Sequence, residues 1–225
     1  MENTLSQTMP NLNTHLKFGN FDPTNLNIEE TVNVTMLIDS SGSMSSYAQE
    51  LNEDIEKNIN EISGWSQAPK IYLSIGTFDS KIEVLNGFQQ INNVTPPVFD
   101  PRGSSTRLYD ASLEFLKNTL AQQEKSLQSG ILTKSIFFVL TDGEDNASKG
   151  SSAGEVKALM EHINKTESMK GTFQAFLFGL GDKSTFESAA NEMGLALYNG
   201  DLKKAFAILS ASVKSYSTKK GPVII

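Results

Sequence analysis

Residues 32–44 read Val-Asn-Val-Thr-Met-Leu-Ile-Asp-Ser-Ser-Gly-Ser-Met, and they join two patterns that decide the fold. The first seven residues, 32–38, form a short apolar run rich in β-branched side chains, which predicts a buried strand. Beyond the run, apolar side chains recur at the spacing of one helix face: Tyr47, Leu51, Ile55, Ile59 and Ile62. The segment therefore predicts a strand, a polar loop and an amphipathic helix in that order.

The polar loop carries oxygen side chains on alternate residues, namely Asp39, Ser41 and Ser43, and Gly42 allows a tight turn between them. Alternate residues of an extended segment place their side chains on the same side, so the three oxygens could converge on one point. Several hard oxygen ligands at one point are typical of a site for a hard cation such as Mg²⁺.

Two other interpretations of this loop are open on its residues alone. Ser and Asp are preferred helix N-caps, and a turn rich in Ser and Gly needs no metal to explain it. A glycine-rich loop at a helix N-terminus can also bind a phosphate. Asp39 and the lack of a nearby lysine argue against a phosphate site, and the chain contains no Gly-x-x-x-x-Gly-Lys-Ser/Thr motif.

The composition narrows the classes of function. The chain has 225 residues and a formal net charge of −7, which argues against non-specific binding to nucleic acid or anionic membranes. It contains no cysteine, which excludes disulfides and thiolate zinc sites. Residues 1–10 lack the features of a signal peptide, and no apolar stretch has transmembrane length. We therefore expect a cytoplasmic protein.

Strands alternate with amphipathic helices along the chain from residue 31. The predicted strands are 32–38, 70–78, 81–85, 135–140, 172–178 and 195–198, and the predicted helices are 47–62, 108–127, 155–167, 184–193 and 202–216. Only two residues separate 70–78 from 81–85, which predicts a tight hairpin. The sequence thus predicts an α/β fold: a doubly wound, mainly parallel central sheet with one short antiparallel edge strand and helices on both faces.

The two ends of the chain lack this pattern. We expect an irregular N-terminal arm over 1–30, one domain over 31–216 and a C-terminal tail over 217–225. The region after Asp201 is rich in lysine and contains no acid. Three interpretations of this region are open: a solvated helix face with an apolar end, an added strand, or a docking peptide.

Two further polar loops lie between predicted strands and helices. Asp142 lies in the loop 141–146 after strand 135–140, and Thr106 lies in the segment 102–106 before helix 108–127. Taken singly, the first is explained as an exposed acidic turn and the second as a helix cap. Ligands of open parallel sheets bind at the carboxyl ends of the strands, where the strand order reverses. Three oxygen-rich loops at equivalent positions therefore predict one shared site.

Together the three loops resemble the metal-ion-dependent adhesion site of von Willebrand factor type A domains. The resemblance rests on Asp39-x-Ser41-x-Ser43, on Thr106 in Gly-Ser-Ser-Thr-Arg-Leu-Tyr-Asp-Ala, and on Thr141-Asp142-Gly143. Every position of that site carries the expected residue type, and the resemblance covers about residues 31–216. The second and third motifs are similar to those of bacterial intracellular stand-alone members.

The resemblance implies a Rossmann-like fold and a divalent cation held by Asp39, Ser41, Ser43, Thr106 and Asp142. It implies that the three hydroxyls bind the ion directly, while the two carboxylates act mostly through ordered water or by orienting the hydroxyls. An ion in a shell of neutral hydroxyls and water keeps much of its charge and favours an incoming carboxylate. Mg²⁺ suits this small octahedral site best, Mn²⁺ follows closely, and Ca²⁺ is oversized.

The predicted function is a metal-dependent protein–protein interaction module that binds an acidic residue, Asp or Glu, of a partner. One alternative, which the resemblance implies, is a subunit or adaptor of an AAA-ATPase, chelatase-like or stress-response complex. A second is a metal-dependent hydrolase or phosphoryl-transfer enzyme, which needs a base beside the ion. His15 and His162 both lie away from the predicted strand ends, so we expect no enzymatic activity. The oligomeric state stays open.

Overall fold

One central sheet organises the chain in the computed structural model, which describes residues 10–19, 21–23, 26, 28–149 and 152–218. The strands are β1 (Glu30–Asp39), β2 (Ile71–Phe78), β3 (Ile82–Gln90), β4 (Leu132–Thr141), β5 (Phe173–Leu180) and β6 (Ala196–Gly200). The helices are α1 (Ala48–Ser63), α2 (Leu108–Gln128), α3 (Ser152–Lys165), α4 (Lys183–Met193) and α5 (Leu202–Ser217). Short 3₁₀ segments occupy Gly42–Tyr47, Ala68–Lys70 and Ile91–Asn93.

The strand order across the sheet is β3-β2-β1-β4-β5-β6. Only the β2–β3 pair is antiparallel, and the other neighbours in this sheet run parallel. The chain builds the sheet outward from β1 through β2 to one edge, then returns to add β4 on the other side of β1. The strand order therefore reverses between β1 and β4, which confirms the predicted doubly wound α/β fold.

The central strand β1 is buried along almost its whole length because helices cover both faces of the sheet. Val34, Met36 and Ile38 belong to the core on the face covered by α1 and α5. Leu37 belongs to the core on the opposite face, which α2, α3 and α4 cover. This two-sided burial explains why the strand reads as a nearly continuous apolar run instead of a strict alternation.

The edge strand β3 differs from the prediction of a short strand over 81–85. It continues to Gln90 instead of ending at residue 85, and the 3₁₀ segment at 91–93 follows it. Asn86 supports the extension because its side-chain amide donates to the carbonyl of Leu73 at 3.0 Å. Its own carbonyl accepts from the hydroxyl of Ser74 at 3.0 Å. Such polar pairing along an irregular edge leaves no apolar periodicity in the sequence.

The described part of the N-terminal arm packs against the edge of the sheet. The ring of Phe18 is nearly buried and meets the ring of Phe115 on α2 edge to face, with 4.8 Å between centroids. Phe21 lies 4.8 Å from Tyr72 of β2. The expected arm, domain and tail boundaries stay a prediction, and residues 1–9 and 219–225 lie outside the described residues.

The described helices include none that is long and apolar enough to cross a membrane. On α5 the side chains of Lys203, Lys204 and Lys214 are exposed, in keeping with the solvated-face interpretation of this lysine-rich region. The remaining lysines of that region fall at 219 and 220, outside the described part of the chain.

Candidate metal centre

Asp39 is the last residue of β1 and lies at the point where the strand order reverses. Its side chain is 0 % exposed. One carboxylate oxygen, Oδ1, accepts the backbone N–H of Ser41 at 2.8 Å. The other, Oδ2, accepts the hydroxyl of Thr141 at 2.6 Å, and Thr141 ends the neighbouring strand β4. Both oxygens are therefore held in place by the ends of two adjacent strands.

A line of hydrogen bonds continues from Asp39 to the third loop. The hydroxyl oxygens of Ser41 and Ser43 lie 3.0 Å apart, and the hydroxyl of Ser43 donates to Asp142 Oδ1 at 2.8 Å. A hydroxyl has one proton, and Ser43 gives its proton to Asp142, so Ser41 is the donor in the contact between the serines. The structure thus joins four of the five expected site residues in one network that leads from the buried strand end to the exposed Ser43.

Thr106, the fifth residue, is 4 % exposed and joins the site through its backbone. Its N–H donates to Asn146 Oδ1 at 2.7 Å. Its carbonyl accepts the backbone N–H groups of Asn146 and Ala147 at 3.0 and 3.1 Å. These bonds tie the loop that carries Thr106 to the loop that carries Asp142.

A second tie joins the Thr106 loop to the first loop. Gly42 donates its N–H to the carbonyl of Gly103 at 2.8 Å, and Gly103 donates its own N–H to the carbonyl of Ser40 at 3.1 Å. Ser41 and Gly103 form a short parallel bridge in consequence. All three loops are therefore hydrogen-bonded to one another at the same rim of the sheet.

The two carboxylates of the site are both destabilised as anions. Burial raises the pKa of Asp39; the hydrogen bonds from Thr141 and Ser41 partly offset this, and the nearby charge of Asp142 adds to it. Burial also raises the pKa of Asp142, and the hydrogen bond from Ser43 acts in the opposite direction. A cation beside these groups would favour their charged forms, so the electrostatics fit a metal ion.

The donors of this site are hydroxyls as much as carboxylates. Among the described residues, no group of three or more His, Cys, Asp or Glu side chains is placed to hold a metal ion. The predicted site instead has two carboxylates and three hydroxyls, whose oxygens are the hard ligands that Mg²⁺ takes.

Three residues that hold the site together have no role in the sequence-based prediction. Thr141 orients Asp39, Asn146 holds the backbone of Thr106, and Gly103 joins two loops. Thr141 stands beside Asp142 in the motif, which is a signal that could have identified it. Asn146 and Gly103 act through hydrogen bonds between loops, and no sequence motif predicts which loops pair.

The first turn of α2, directly after Thr106, is held by a second network centred on Asp110. Its carboxylate accepts the Arg107 guanidinium at 2.7 Å, the Ser152 hydroxyl at 2.5 Å and the backbone N–H of Lys149 at 3.1 Å. Burial alone would raise the pKa of Asp110, but these donors together lower it below the ordinary value. The network joins the starts of α2 and α3 beneath the rim.

Both histidines lie outside the hydrogen-bond network of the site. The backbone N–H of His15 donates to Glu114 Oε2 on α2 at 2.6 Å. His162 lies on α3, where its carbonyl accepts the hydroxyl of Thr166 at 2.8 Å. Neither histidine therefore contacts the predicted metal ligands through these hydrogen bonds.

No protein-family model and no curated protein matches the chain. Solved structures do match it. The pilus adhesin SpaC from Lactobacillus rhamnosus GG, in its open conformation, matches with a TM-score of 0.63 and 13 % identity, over 87 % of this chain and 31 % of that chain. The ArnB paralog VWA2 from Sulfolobus acidocaldarius matches with a TM-score of 0.52 and 19 % identity, over 81 % and 45 %.

A third match is the proximal thread matrix protein 1 of the mussel byssus with a zinc-occupied MIDAS motif. Its TM-score is 0.52 and its identity 16 %, over 84 % of this chain and 48 % of that chain. This chain spans less than half the length of each of the three proteins. At these identities the likeness establishes the fold alone. Together with the strand order, it shows that this chain has the von Willebrand factor type A fold.

Proposed function

We propose that this protein is a metal-dependent interaction module in which a divalent cation binds a carboxylate of a protein partner. The proposed ligand set is Asp39, Ser41, Ser43, Thr106 and Asp142. The observation that carries the proposal is the continuous hydrogen-bond network from Asp39 through Ser41 and Ser43 to Asp142. This network brings two distant loops together where the strand order reverses, which is where open α/β sheets bind ligands.

The spacing of the two serine hydroxyls is compatible with a small octahedral cation such as Mg²⁺. Adjacent ligands of an octahedral Mg²⁺ ion, at about 2.1 Å from the metal, are about 3.0 Å apart. The hydroxyl oxygens of Ser41 and Ser43 are 3.0 Å apart. Ca²⁺ takes longer bonds and more ligands in a looser geometry. Mn²⁺ is the next candidate, and the zinc-occupied MIDAS motif of the byssus protein makes a divalent ion plausible in this fold.

The carboxylates have a supporting role in this proposal. Asp142 accepts the Ser43 proton and Ser43 accepts the proton of Ser41, which leaves one oxygen lone pair of Ser43 for the ion. Asp39 accepts the amide of Ser41 and so holds that residue in place. The ion would then be surrounded mainly by neutral oxygens and would retain a strong attraction for an external anion.

The rim above the network is accessible to a partner. Ser43 and its neighbour Gly42 are exposed, whereas Asp39 lies beneath them and is buried. An Asp or Glu side chain of a partner could therefore approach the ion from the solvent side. The net charge of −7 favours a protein partner over nucleic acid, and the cytoplasm expected from the sequence is the proposed setting.

Calorimetric titration with Mg²⁺ tests the metal site. We expect binding by the wild type and none by Asp39→Ala or Ser43→Ala; the second variant alters an exposed side chain and should leave the core intact. Asp182→Ala serves as the matched control because Asp182 follows another strand, β5, and only caps α4. Wild-type affinity in both site variants would show that the ligand assignment is wrong.

Capture of a partner tests the second half of the proposal. Wild type and Ser43→Ala, each in Mg²⁺ and in EDTA, are used to bind proteins from a cell lysate. We expect a protein that is retained only by the wild type with Mg²⁺, and whose binding is lost when one of its surface carboxylates is replaced. Capture that is indifferent to both metal and mutation would contradict recognition through the ion.

A further inference from the structure

We infer that Gly103 is a positioning residue for the proposed metal site, and that alanine at this position would weaken metal binding without removing any ligand. The inference rests on the proposed function. Gly103 is the point where the second loop, which carries Thr106, pairs with the first loop, which carries Ser41 and Ser43.

The backbone of Gly103 makes both hydrogen bonds of this pairing. Its carbonyl accepts the N–H of Gly42 at 2.8 Å, and its N–H donates to the carbonyl of Ser40 at 3.1 Å. Any residue could in principle make these two backbone bonds. The requirement for glycine therefore depends on what lies where a side chain would project.

That side of Gly103 is filled by Asp79, the residue that follows β2. A Cβ at position 103 would lie 2.1 Å from the Cβ of Asp79 and 2.5 Å from its Cγ. Contacts this short require atoms to move, and a Cβ cannot move without its backbone. The backbone of Gly103 does not have a positive φ, so the requirement for glycine is steric and not conformational.

Asp79 is held in place by the β2–β3 hairpin. Its Oδ1 accepts the N–H of Lys81 at 2.7 Å and the hydroxyl of Ser80 at 3.0 Å. Its backbone N–H donates to the carbonyl of Lys81 at 2.8 Å, and its carbonyl accepts the N–H of Arg107 at 3.2 Å. A larger residue at 103 would therefore displace the second loop in preference to the hairpin.

Thr106 lies between the two anchors of the second loop. Gly103 attaches that loop to the first loop, and Arg107 attaches it to Asp79. Displacement of the loop at 103 would break the pairing with Ser40 and Gly42 and would shift Thr106 relative to the serines. Side chains that only support metal ligands typically change affinity by about 10- to 100-fold when they are replaced.

A double-mutant cycle tests this inference by measuring the Mg²⁺ dissociation constant of the folded protein. We expect Gly103→Ala to weaken binding by about 10- to 100-fold. Asp79→Gly removes the side chain that blocks the added Cβ, so Gly103→Ala in that background should change the dissociation constant by less than about threefold. Gly154→Ala is the matched control, because a Cβ there meets nothing within 4 Å.

The outcomes separate this inference from the proposed function. Unchanged Mg²⁺ binding by Asp39→Ala would mean that the proposed metal site is wrong. Loss of binding by Asp39→Ala together with a wild-type dissociation constant for Gly103→Ala would overturn the role of Gly103 alone. A loss that persists undiminished in the Asp79→Gly background would also overturn it, because the steric cause would then be absent.

The cycle remains informative if Gly103→Ala does not fold. The comparison is then between Asp79→Gly and the double variant, both of which have room for the second loop. Equal Mg²⁺ affinity of these two proteins supports the steric role of Gly103. A difference of more than about tenfold would contradict it.

Discussion

Asp39 is a carboxylate with no solvent exposure, and such a group is costly unless it is well paired. Its partners are an amide two residues away and a hydroxyl 102 residues away in sequence, both within 2.8 Å. The two bonds only partly offset burial, since the pKa remains raised. A positive charge beside Asp39 would favour its charged form.

In contrast to Asp39, Asp110 has hydrogen-bond donors that outweigh the effect of burial on its pKa, and the resulting contribution to stability can be measured. Its pKa is lowered in the folded state, so its charged form stabilises the protein above the pKa of the unfolded chain, and this stability is lost as the pH falls through the folded value. We expect Asp110→Asn to be less stable than the wild type by about 1.5–3 kcal/mol at pH 7. Urea unfolding at several pH values measures the difference.

The difference between wild type and Asp110→Asn should be constant above about pH 5 and should shrink as the pH falls below about 4. Asp100→Asn is a suitable control, because Asp100 is an exposed partner of Arg102 and such pairs contribute little. A difference for Asp110→Asn that stays unchanged down to pH 3 would show that the carboxylate charge is not what stabilises the fold.

At two places, a strand packs closely against another segment because it has a glycine at the contact. A Cβ at Gly76 of β2 would lie 1.9 Å from the ring of Phe115 on α2. A Cβ at Gly87 of β3 would lie 1.7 Å from the carbonyl oxygen of Phe18 in the arm. The two glycines lie on neighbouring strands, and the two phenylalanine rings touch each other. The helix, the arm and the sheet edge are therefore packed as one unit.

Gly87→Ala should displace the arm from the sheet. We expect faster cleavage of the arm in limited proteolysis and a loss of stability of about 1.5–3 kcal/mol, the contribution of one buried phenylalanine. Phe18→Ala should have a similar effect, and adding Gly87→Ala to it should cost little more because the same contact is already lost. An arm that resists proteolysis equally in Gly87→Ala and wild type would contradict this packing.

At the scale of the whole molecule, the proposed site lies at the rim between β1 and β4, where the strand order reverses. The sheet supplies rigid strand ends, and the loops supply the polar groups. This arrangement would place the proposed function on surface loops, while the core beneath is apolar. Replacing the ligands should therefore affect binding far more than folding.

Mg²⁺ should stabilise the fold by mass action, since the proposed ligands come from three loops that meet only when the chain is folded. At a concentration about 100 times the dissociation constant, the expected gain is about 2.7 kcal/mol. For a chain of this size the melting temperature should rise by about 5–10 °C. Differential scanning calorimetry measures the shift, and Ser43→Ala should show none. An equal rise in that variant would indicate that Mg²⁺ binds elsewhere.

The sequence by itself determined the order of strands and helices, because apolar runs and helical spacing are local patterns. It also predicted the five site residues, since each is attached to a strand end or helix start that local patterns reveal, and this ligand set stays a prediction. The full length of β3 could not be predicted from the sequence. Asn86 joins β3 to β2 through side-chain hydrogen bonds, and this part of the strand has no regular spacing of apolar residues.

Only the tertiary structure decided which distant residues meet. Thr141 reaches Asp39 because β1 and β4 are adjacent, and Asn146 reaches Thr106 because two loops converge at the same rim. Gly103 is required by the space that Asp79 occupies, which depends on the β2–β3 hairpin. Local patterns arise from neighbours along the chain, whereas these contacts arise from steric fit between segments that the fold alone brings together.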